Sequence, residues 1–176
     1  MQKLVLLSVV VVLLTSCNQP KPETVSAPAA VEVGDSTKAD LAKASYTALI
    51  AGDVDGFAAS MSDDAVFYWN AGDSIAGKAA IVEYWTDRRA NVIDTLEIKE
   101  DVWLPLKVNK LENAANGEYV LMWATLTSVY QFGGEPMIQR FHQVYDFNSE
   151  GKIKRITHYI DRHDVAKALP PKRTKK

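Results

Sequence analysis

The chain is poor in the residues that build covalent or metal-bound scaffolds. Among its 176 residues there is one cysteine, Cys17, so no disulfide can form within the chain. It has three histidines, and none of them stands with cysteines or carboxylates at metal-ligand spacing. The formal net charge of -2 gives no general argument for binding to nucleic acid. We therefore expect no metal site, no cofactor and no nucleic-acid partner.

One long apolar run, Leu4 to Leu14, lies near the start of the sequence. It is too short to span a bilayer as a stable helix, which takes about 20 apolar residues, and it has the length of the apolar part of a secretory signal. It follows Lys3 and leads through small residues to Cys17, a pattern that resembles a bacterial lipoprotein signal with a lipidated cysteine. The alternative is an ordinary signal peptide with an incidental cysteine. Asn18 favours, by resemblance to Gram-negative sorting signals, an exported lipoprotein anchored in the outer membrane.

Three segments follow the predicted signal, which covers residues 1–17. Residues 18–36 are rich in proline, alanine and small polar groups without periodicity, which predicts a flexible tether. Residues 37–169 have the length and the aromatic content of one domain with its own core. Residues 170–176 form a short basic tail that begins with two prolines, and we expect this tail to be a solvated end.

The order of periodic segments predicts an α+β fold. Three helices come first, with one strand among them: the helices cover Thr37–Ala51, Asp53–Met61 and Lys78–Val92, and the strand covers Ala65–Trp69. Four strands linked by tight-turn residues follow, at Thr95–Val108, Glu118–Tyr130, Met137–Phe147 and Lys152–Asp161. Helices followed by an antiparallel run of strands predict helices on one face of a bent sheet.

The stretch AGDSIAGKA, residues 71–79, comes close to a phosphate-binding loop. Gly72, Gly77 and Lys78 have the required spacing, but Ala79 stands where a hydroxyl residue would bind magnesium. Such a loop also belongs between a parallel strand and a helix, and no later alternation of strands and helices supplies a parallel sheet. We therefore interpret Gly72 as a turn and Gly77 as a helix entry where a missing side chain allows close packing.

The order of elements resembles the nuclear transport factor 2-like superfamily, which includes SnoaL-like polyketide cyclases and ketosteroid isomerases. The resemblance runs from about Thr37 to Leu169 and is specific for the fold rather than for an activity. It implies a cone: a curved antiparallel sheet with three N-terminal helices packed in its concave face, an apolar pocket open at one end, and homodimers through the outer face. The residues that carry it are Gly52-Asp53, Asp63-Asp64-Ala65, Gly77 with Ile81 and Tyr84, and the segment Glu150 to Asp161.

Mapping the family's pocket positions onto this chain implies a largely aromatic and apolar ligand pocket. Strand alternation supports part of this set, because Phe141, Gln143 and Tyr145 share one face of their strand. Trp123 is compatible with either face. The mapped set is Phe57, Met61, Trp69, Tyr84, Trp85, Phe141, Gln143, Tyr145, Ile156, His158 and Ile160.

The catalytic residues of the steroid isomerases are absent from the matching positions. Trp69 stands at the position of the aspartate base, and Ser45 and Gln143 stand at those of the oxyanion-hole tyrosine and acid. An indole is no base and an amide does not ionise, so isomerisation by that mechanism is not expected. Tyr46, next to Ser45, is predicted to point elsewhere on its helix.

His158 is the best candidate for a general acid or base, because imidazole can exchange a proton near neutrality. The alternative is a core histidine bonded to Gln143 or Tyr145. His142 is predicted on the outer sheet surface, and Asp161 as a helix cap or an ion-pair partner of Arg162. The aromatic residues Tyr68, Trp69, Tyr84 and Trp85 are predicted to converge, either as core or as a ligand-stacking surface.

Three functions follow from these patterns. The first is a lipid-anchored cell-envelope protein whose pocket binds a small, largely apolar or aromatic molecule without transforming it. The second is an enzyme, a cyclase, isomerase or hydrolase, in which His158 transfers a proton. The third is a dimeric interaction module whose pocket is filled by its own side chains. The absence of the isomerase residues favours the first.

Overall fold

The structure is a computed structural model that describes residues 28–112 and 115–169. The predicted signal with Cys17, residues 18–27 of the predicted tether and the basic tail lie outside the described residues. In chain order the elements are β1 (Val31–Val33), α1 (Ser36–Ala51), α2 (Val54–Ala58), β2 (Met61–Trp69), β3 (Ser74–Ala76), α3 (Lys78–Asn91), β4 (Ile93–Val108), β5 (Gly117–Tyr130), β6 (Met137–Phe147), β7 (Ile153–Tyr159) and α4 (Arg162–Ala168).

The predicted α+β architecture is confirmed. The strands form one curved sheet in the order β1-β4-β5-β6-β7-β2-β3, and α1, α2 and α3 pack on its concave face. Neighbouring strands are antiparallel except for β2 and β7, which run parallel and differ in this from the predicted antiparallel sheet. No hairpin joins these two strands, because α3 and four strands separate them along the chain, so no turn fixes their relative direction.

Alternation along β5 and β6 divides the sheet into a buried and an outer face. In β5 the side chains of Val120, Met122, Ala124 and Leu126 are buried, and those between them point outward. In β4 the register shifts between Lys99 and Val102, at a point where the intervening Glu100 has a φ of 55°. A bulge of this kind bends and twists a strand, and here it helps to curl the sheet around the helices.

Helix α1 buries a stripe of one side against the sheet. The stripe consists of Ala42, Ser45, Tyr46 and Leu49, the i, i+3, i+4, i+7 spacing of an amphipathic helix. The helix begins after Asp35, whose side chain accepts a hydrogen bond from the Thr37 backbone N–H at 2.9 Å. It ends at Gly52, which has a φ of 84° that glycine adopts without strain.

The structure adds a strand within the predicted tether. Val31–Val33 forms β1 and pairs antiparallel with Leu106–Val108 of β4, so the flexible tether cannot extend to residue 36 as predicted. Gly34 then passes so close to the Leu106 backbone that an added Cβ would lie 2.9 Å from it. A larger residue would push β1 away from β4.

The segment of residues 71–79, whose sequence comes close to a phosphate-binding loop, forms the predicted turn at Gly72 and the predicted helix entry at Gly77. Gly72 donates its backbone N–H to the Trp69 carbonyl at 2.9 Å, and Gly77 immediately precedes α3. The predicted close packing at Gly77 is wrong, because the nearest atom that an added Cβ would meet is 4.0 Å away. Glycine is needed there for its φ of 91° instead.

Helix α4 follows β7 directly. Asp161 is its N-cap, accepting a hydrogen bond from the His163 backbone N–H at 2.8 Å. Of the two roles predicted for Asp161 the cap is the one observed, since Arg162 pairs instead with Asp73 at 2.5 Å. No helix among the described residues is long and apolar enough to pass through a membrane.

Candidate functional site

A cavity of about 650 Å³ lies between α1, α3, α4 and the concave face of the sheet. Its size falls within the range of about 300–1,000 Å³ that small-molecule sites occupy. Asp73, Ser74 and Arg162 are exposed and form part of its rim. The lining residues are Tyr46, Trp69, Asp73, Ser74, Ile75, Tyr84, Trp85, Arg88, Ile93, Leu96, Leu126, Ser128, Tyr130, His158, Ile160, Arg162, Val165, Ala166 and Leu169.

Five of the residues mapped to the pocket from the sequence line this cavity. They are Trp69, Tyr84, Trp85, His158 and Ile160. The other six are buried in the core and do not reach the cavity: Phe57, Met61, Phe141, Gln143, Tyr145 and Ile156. Strand alternation identifies the inward face correctly but carries no information on depth, and this part of the inward face is filled by side chains packed against α1 and α2.

Tyr46 lines the cavity, which corrects the prediction that it points elsewhere. Its side chain is 2% exposed, and its ring lies 5.7 Å from that of Phe141. Ser45 also faces inward and donates its hydroxyl to the Phe57 carbonyl at 2.7 Å. The helix buries a stripe wide enough for both residues, and the spacing from Ala42 to Leu49 was the signal in the sequence that could have identified Tyr46.

One wall of the cavity is aromatic. The rings of Trp69 and Tyr84 lie 5.3 Å apart, and those of Tyr84 and Trp85 lie 5.4 Å apart, in edge-to-face arrangements. Trp85 also packs on Phe67 with ring centroids 5.7 Å apart. Tyr68, which was predicted to join this cluster, lies on the other side of β2 beside the Arg155 guanidinium. The remaining three aromatic residues form one continuous surface.

A chain of hydrogen bonds behind the cavity wall orients His158. The Tyr145 hydroxyl donates to Gln143 Oε1 at 2.5 Å, and Gln143 Nε2 donates to His158 Nδ1 at 2.6 Å. Nδ1 is therefore an acceptor, and the proton of the neutral imidazole resides on Nε2. The hydrogen bond to Gln143 is the one predicted for His158 as a core histidine. The ring of His158 also lines the cavity.

Burial keeps His158 neutral. Its side chain is 5% exposed, and desolvation lowers the pKa of the imidazole from 6.5 to about 3. A group with so low a pKa is unprotonated at neutral pH, so it has no proton to give as an imidazolium and is a weak acceptor of one. What His158 can supply to the cavity is a hydrogen-bond donor, Nε2–H.

Arg88 brings a positive charge to the cavity. Its guanidinium lies over the Tyr84 ring, 5.7 Å from the centroid, and its Nε is buried without a hydrogen-bond partner among the described residues. The indole Nε1 of Trp85 is buried without a partner in the same sense. Burial raises the pKa of the Tyr84 hydroxyl, and the charge of Arg88 opposes this rise.

The opposite face of the sheet carries a second aromatic group. Trp123 is 41% exposed there and stacks on His142 with ring centroids 4.9 Å apart, which places His142 on the outer face as predicted. Among the described residues no group of three or more histidine, cysteine or acidic side chains could hold a metal ion. The polar groups of the cavity are therefore the hydroxyls, the indole, the imidazole and the charges named above.

Several solved structures share the fold of this chain. A protein assigned as a polyketide cyclase from Pseudomonas putida KT2440 superposes with a TM-score of 0.60 at 20% identity, over 76% of this chain and 98% of that one. An NTF2-like protein of unknown function from Burkholderia pseudomallei K96243 gives a TM-score of 0.59 at 15% identity, over 78% and 100% of the two chains. An LEH-like epoxide hydrolase of Mycobacterium tuberculosis gives 0.54 at 21% identity, over 76% and 90%.

These likenesses, all under 25% identity, show the fold and not the chemistry. No curated protein matches the chain. The model of the SnoaL-like domain family matches residues 42–156, which contain the elements from α2 to β6 whole and parts of α1 and β7. The chain is therefore a member of the SnoaL-like domain family, and it has the fold of the nuclear transport factor 2-like proteins to which it is similar.

Proposed function

We propose that this protein binds a small, largely apolar molecule in the cavity and does not transform it by proton transfer at His158. The observation that carries the proposal is the cavity of about 650 Å³ with the aromatic wall of Trp69, Tyr84 and Trp85. A flat apolar body stacked on such a wall removes apolar surface from water, which contributes roughly 25 cal/mol per Å². Trp85 Nε1–H, which has no hydrogen-bond partner among the described residues, and His158 Nε2–H are the candidate donors to a polar atom of that molecule.

A second candidate is an enzyme of the cyclase, isomerase or hydrolase type that uses His158 as general acid or base. The contact of His158 with the cavity favours it, and related folds include the epoxide hydrolase named above. The neutral, amide-bonded state of the imidazole argues against it, because an acid or base works best with a pKa near the working pH. The third alternative, a dimeric interaction module with a filled pocket, is less well supported, because the described side chains leave this volume open.

Anchoring to a membrane through Cys17 is part of the proposal. It is supported by the sequence pattern alone, since Cys17 lies outside the described residues. Metabolic labelling with a radioactive fatty acid should label the full chain, and Cys17→Ser should abolish the label. Fractionation of a Gram-negative host would then find the labelled chain in the outer membrane. Labelling that survives Cys17→Ser would contradict an anchor at this residue.

Binding is tested with an uncharged fluorescent probe, phenylnaphthylamine, whose emission rises in apolar surroundings. We expect saturable binding to the full chain, and a loss of roughly ten-fold or more in affinity for Trp69→Ala, because the substitution removes about 1–3 kcal/mol of stacking and burial. The matched control is Trp123→Ala, which removes the same side chain from the outer face and should leave the affinity unchanged. Equal effects of both variants, or no saturable binding, would contradict cavity binding.

A further inference from the structure

The charges around the cavity do not cancel. Two arginines and one aspartate line it, Arg88, Arg162 and Asp73, and His158 is neutral. Arg162 is paired with Asp73 at 2.5 Å, so this aspartate already compensates one of the two positive charges. Among the described residues Arg88 makes no ion pair with a carboxylate. One positive charge therefore remains in an otherwise aromatic and aliphatic cavity.

The surroundings of Arg88 suit the binding of an anionic ligand. Its Nε is shielded from solvent yet makes no hydrogen bond within the described residues, and its guanidinium stacks over Tyr84. Burial raises the pKa of the Tyr130 hydroxyl on the facing strand β5, and the charge of Arg88 opposes this rise. An interaction of Arg88 with an anion would be stronger here than in water, because the neighbouring surface is apolar and of low dielectric constant.

We propose that the cavity takes an apolar monocarboxylate, with the carboxylate on Arg88 and the apolar body along Tyr84, Trp85 and Leu126. This inference rests on the proposed binding function and names its ligand class. The planar guanidinium presents donors in a fork that fits the two carboxylate oxygens. One uncompensated positive charge matches one negative charge, whereas a phosphate monoester would bring about two.

The test compares two probes of the same shape, naphthoate and naphthamide, by calorimetric titration of the full chain. Naphthoate should bind at least about ten-fold more tightly than the neutral amide, since a charged hydrogen bond adds about one factor of ten or more. Arg88→Gln should bind the two probes with about equal affinity, and Arg88→Lys should keep part of the preference for naphthoate. Arg140→Gln is the control, because it removes an arginine from the outer face and should keep the full preference. Melting temperatures verify that the variants fold.

The outcomes separate this inference from the binding function. Equal affinity of naphthoate and naphthamide for the wild-type chain, or an unchanged preference in Arg88→Gln, would overturn the carboxylate assignment and leave cavity binding in place. Tighter binding of naphthyl phosphate than of naphthoate would overturn the choice of a monocarboxylate. Failure of both naphthoate and naphthamide to bind would overturn the proposed function together with this inference.

Discussion

At the scale of single residues, His158 distinguishes a binding site from an acid–base site. Its ring contacts the cavity, but Gln143 fixes its Nδ1 as an acceptor and burial lowers its pKa to about 3. The lowered value has a thermodynamic consequence. The unfolded chain takes up a proton on this residue below pH 6.5, and the folded chain does not, so stability due to neutral burial is lost as the pH falls below 6.5.

We expect a specific pH dependence of stability, and we expect His158→Gln to abolish it. Between pH 7 and pH 5 the free energy of unfolding should fall by about 2 kcal/mol more in the wild type than in His158→Gln, since the slope approaches about 1.4 kcal/mol per pH unit. Urea unfolding at both pH values measures it. His163→Gln removes an exposed histidine and should retain the dependence of the wild type. Equal pH dependence in the wild type and His158→Gln would show that His158 is not buried neutral.

The sequence is least informative about which single residues line the cavity. Trp69, Tyr84, Trp85, His158 and Ile160 were predicted to face the cavity, and they do. Phe141 and Tyr145 share their face with the cavity but lie deeper in the core, because the two-residue period of a strand gives direction and not depth. Arg88 and the α4 residues escaped prediction because they reach the cavity through the packing of distant elements.

At the scale of secondary-structure elements the sequence performs much better. The main helices and strands were predicted within a few residues, since long periodic segments determine them. The short strands β1 and β3 were missed because three residues show no period, and their pairing depends on β4 and β2 supplying an edge. The same holds for the parallel pairing of β2 with β7, which no turn in the sequence encodes.

Helix α4 and its C-cap form part of the cavity wall. Val165, Ala166 and Leu169 line the cavity, and a helix of 7 residues is too short to be stable without its cap and its packing. Asp161→Ala removes the cap, which costs about 1 kcal/mol. We expect faster hydrogen exchange in α4 and a several-fold lower affinity for phenylnaphthylamine.

Asp164→Ala is the control for this prediction. Asp164 lies in the same helix and makes an exposed ion pair with Lys167, which contributes little to stability. Its loss should change neither exchange nor affinity by a comparable amount. Unchanged affinity in Asp161→Ala despite faster exchange in α4 would show that this helix is not part of the binding site.

At the scale of the whole molecule, the two faces of the sheet present different surfaces. The concave face forms the cavity, and the outer face carries a row of exposed or half-exposed side chains that crosses four strands: Val102, Trp123, His142 and Tyr159. Rings in this row stack on one another, with His142 lying 4.9 Å from Trp123 and 5.4 Å from Tyr159. An exposed row of aromatic rings of this kind is suited to contact with another protein surface.

We expect the homodimer that the family resemblance implies to form through this outer face. Trp123→Asp places a charge at the centre of the row and should convert the dimer to a monomer in analytical ultracentrifugation, because an unpaired charge at a buried contact is costly. Phe132→Asp changes an aromatic residue that is 51% exposed in the β5–β6 turn and should leave the dimer intact. A wild-type chain that sediments as a monomer at all concentrations would contradict the dimer but not the cavity.

The central claim is that the hollow of the cone, and no other surface, receives a small apolar molecule. Solution NMR of the full chain titrated with naphthamide tests it most directly, since chemical-shift changes map the probe onto residues. We expect the largest changes on five residues that line the cavity, Trp69, Trp85, Leu126, His158 and Ile160. Changes confined to the outer face around Trp123, with none at these residues, would contradict it.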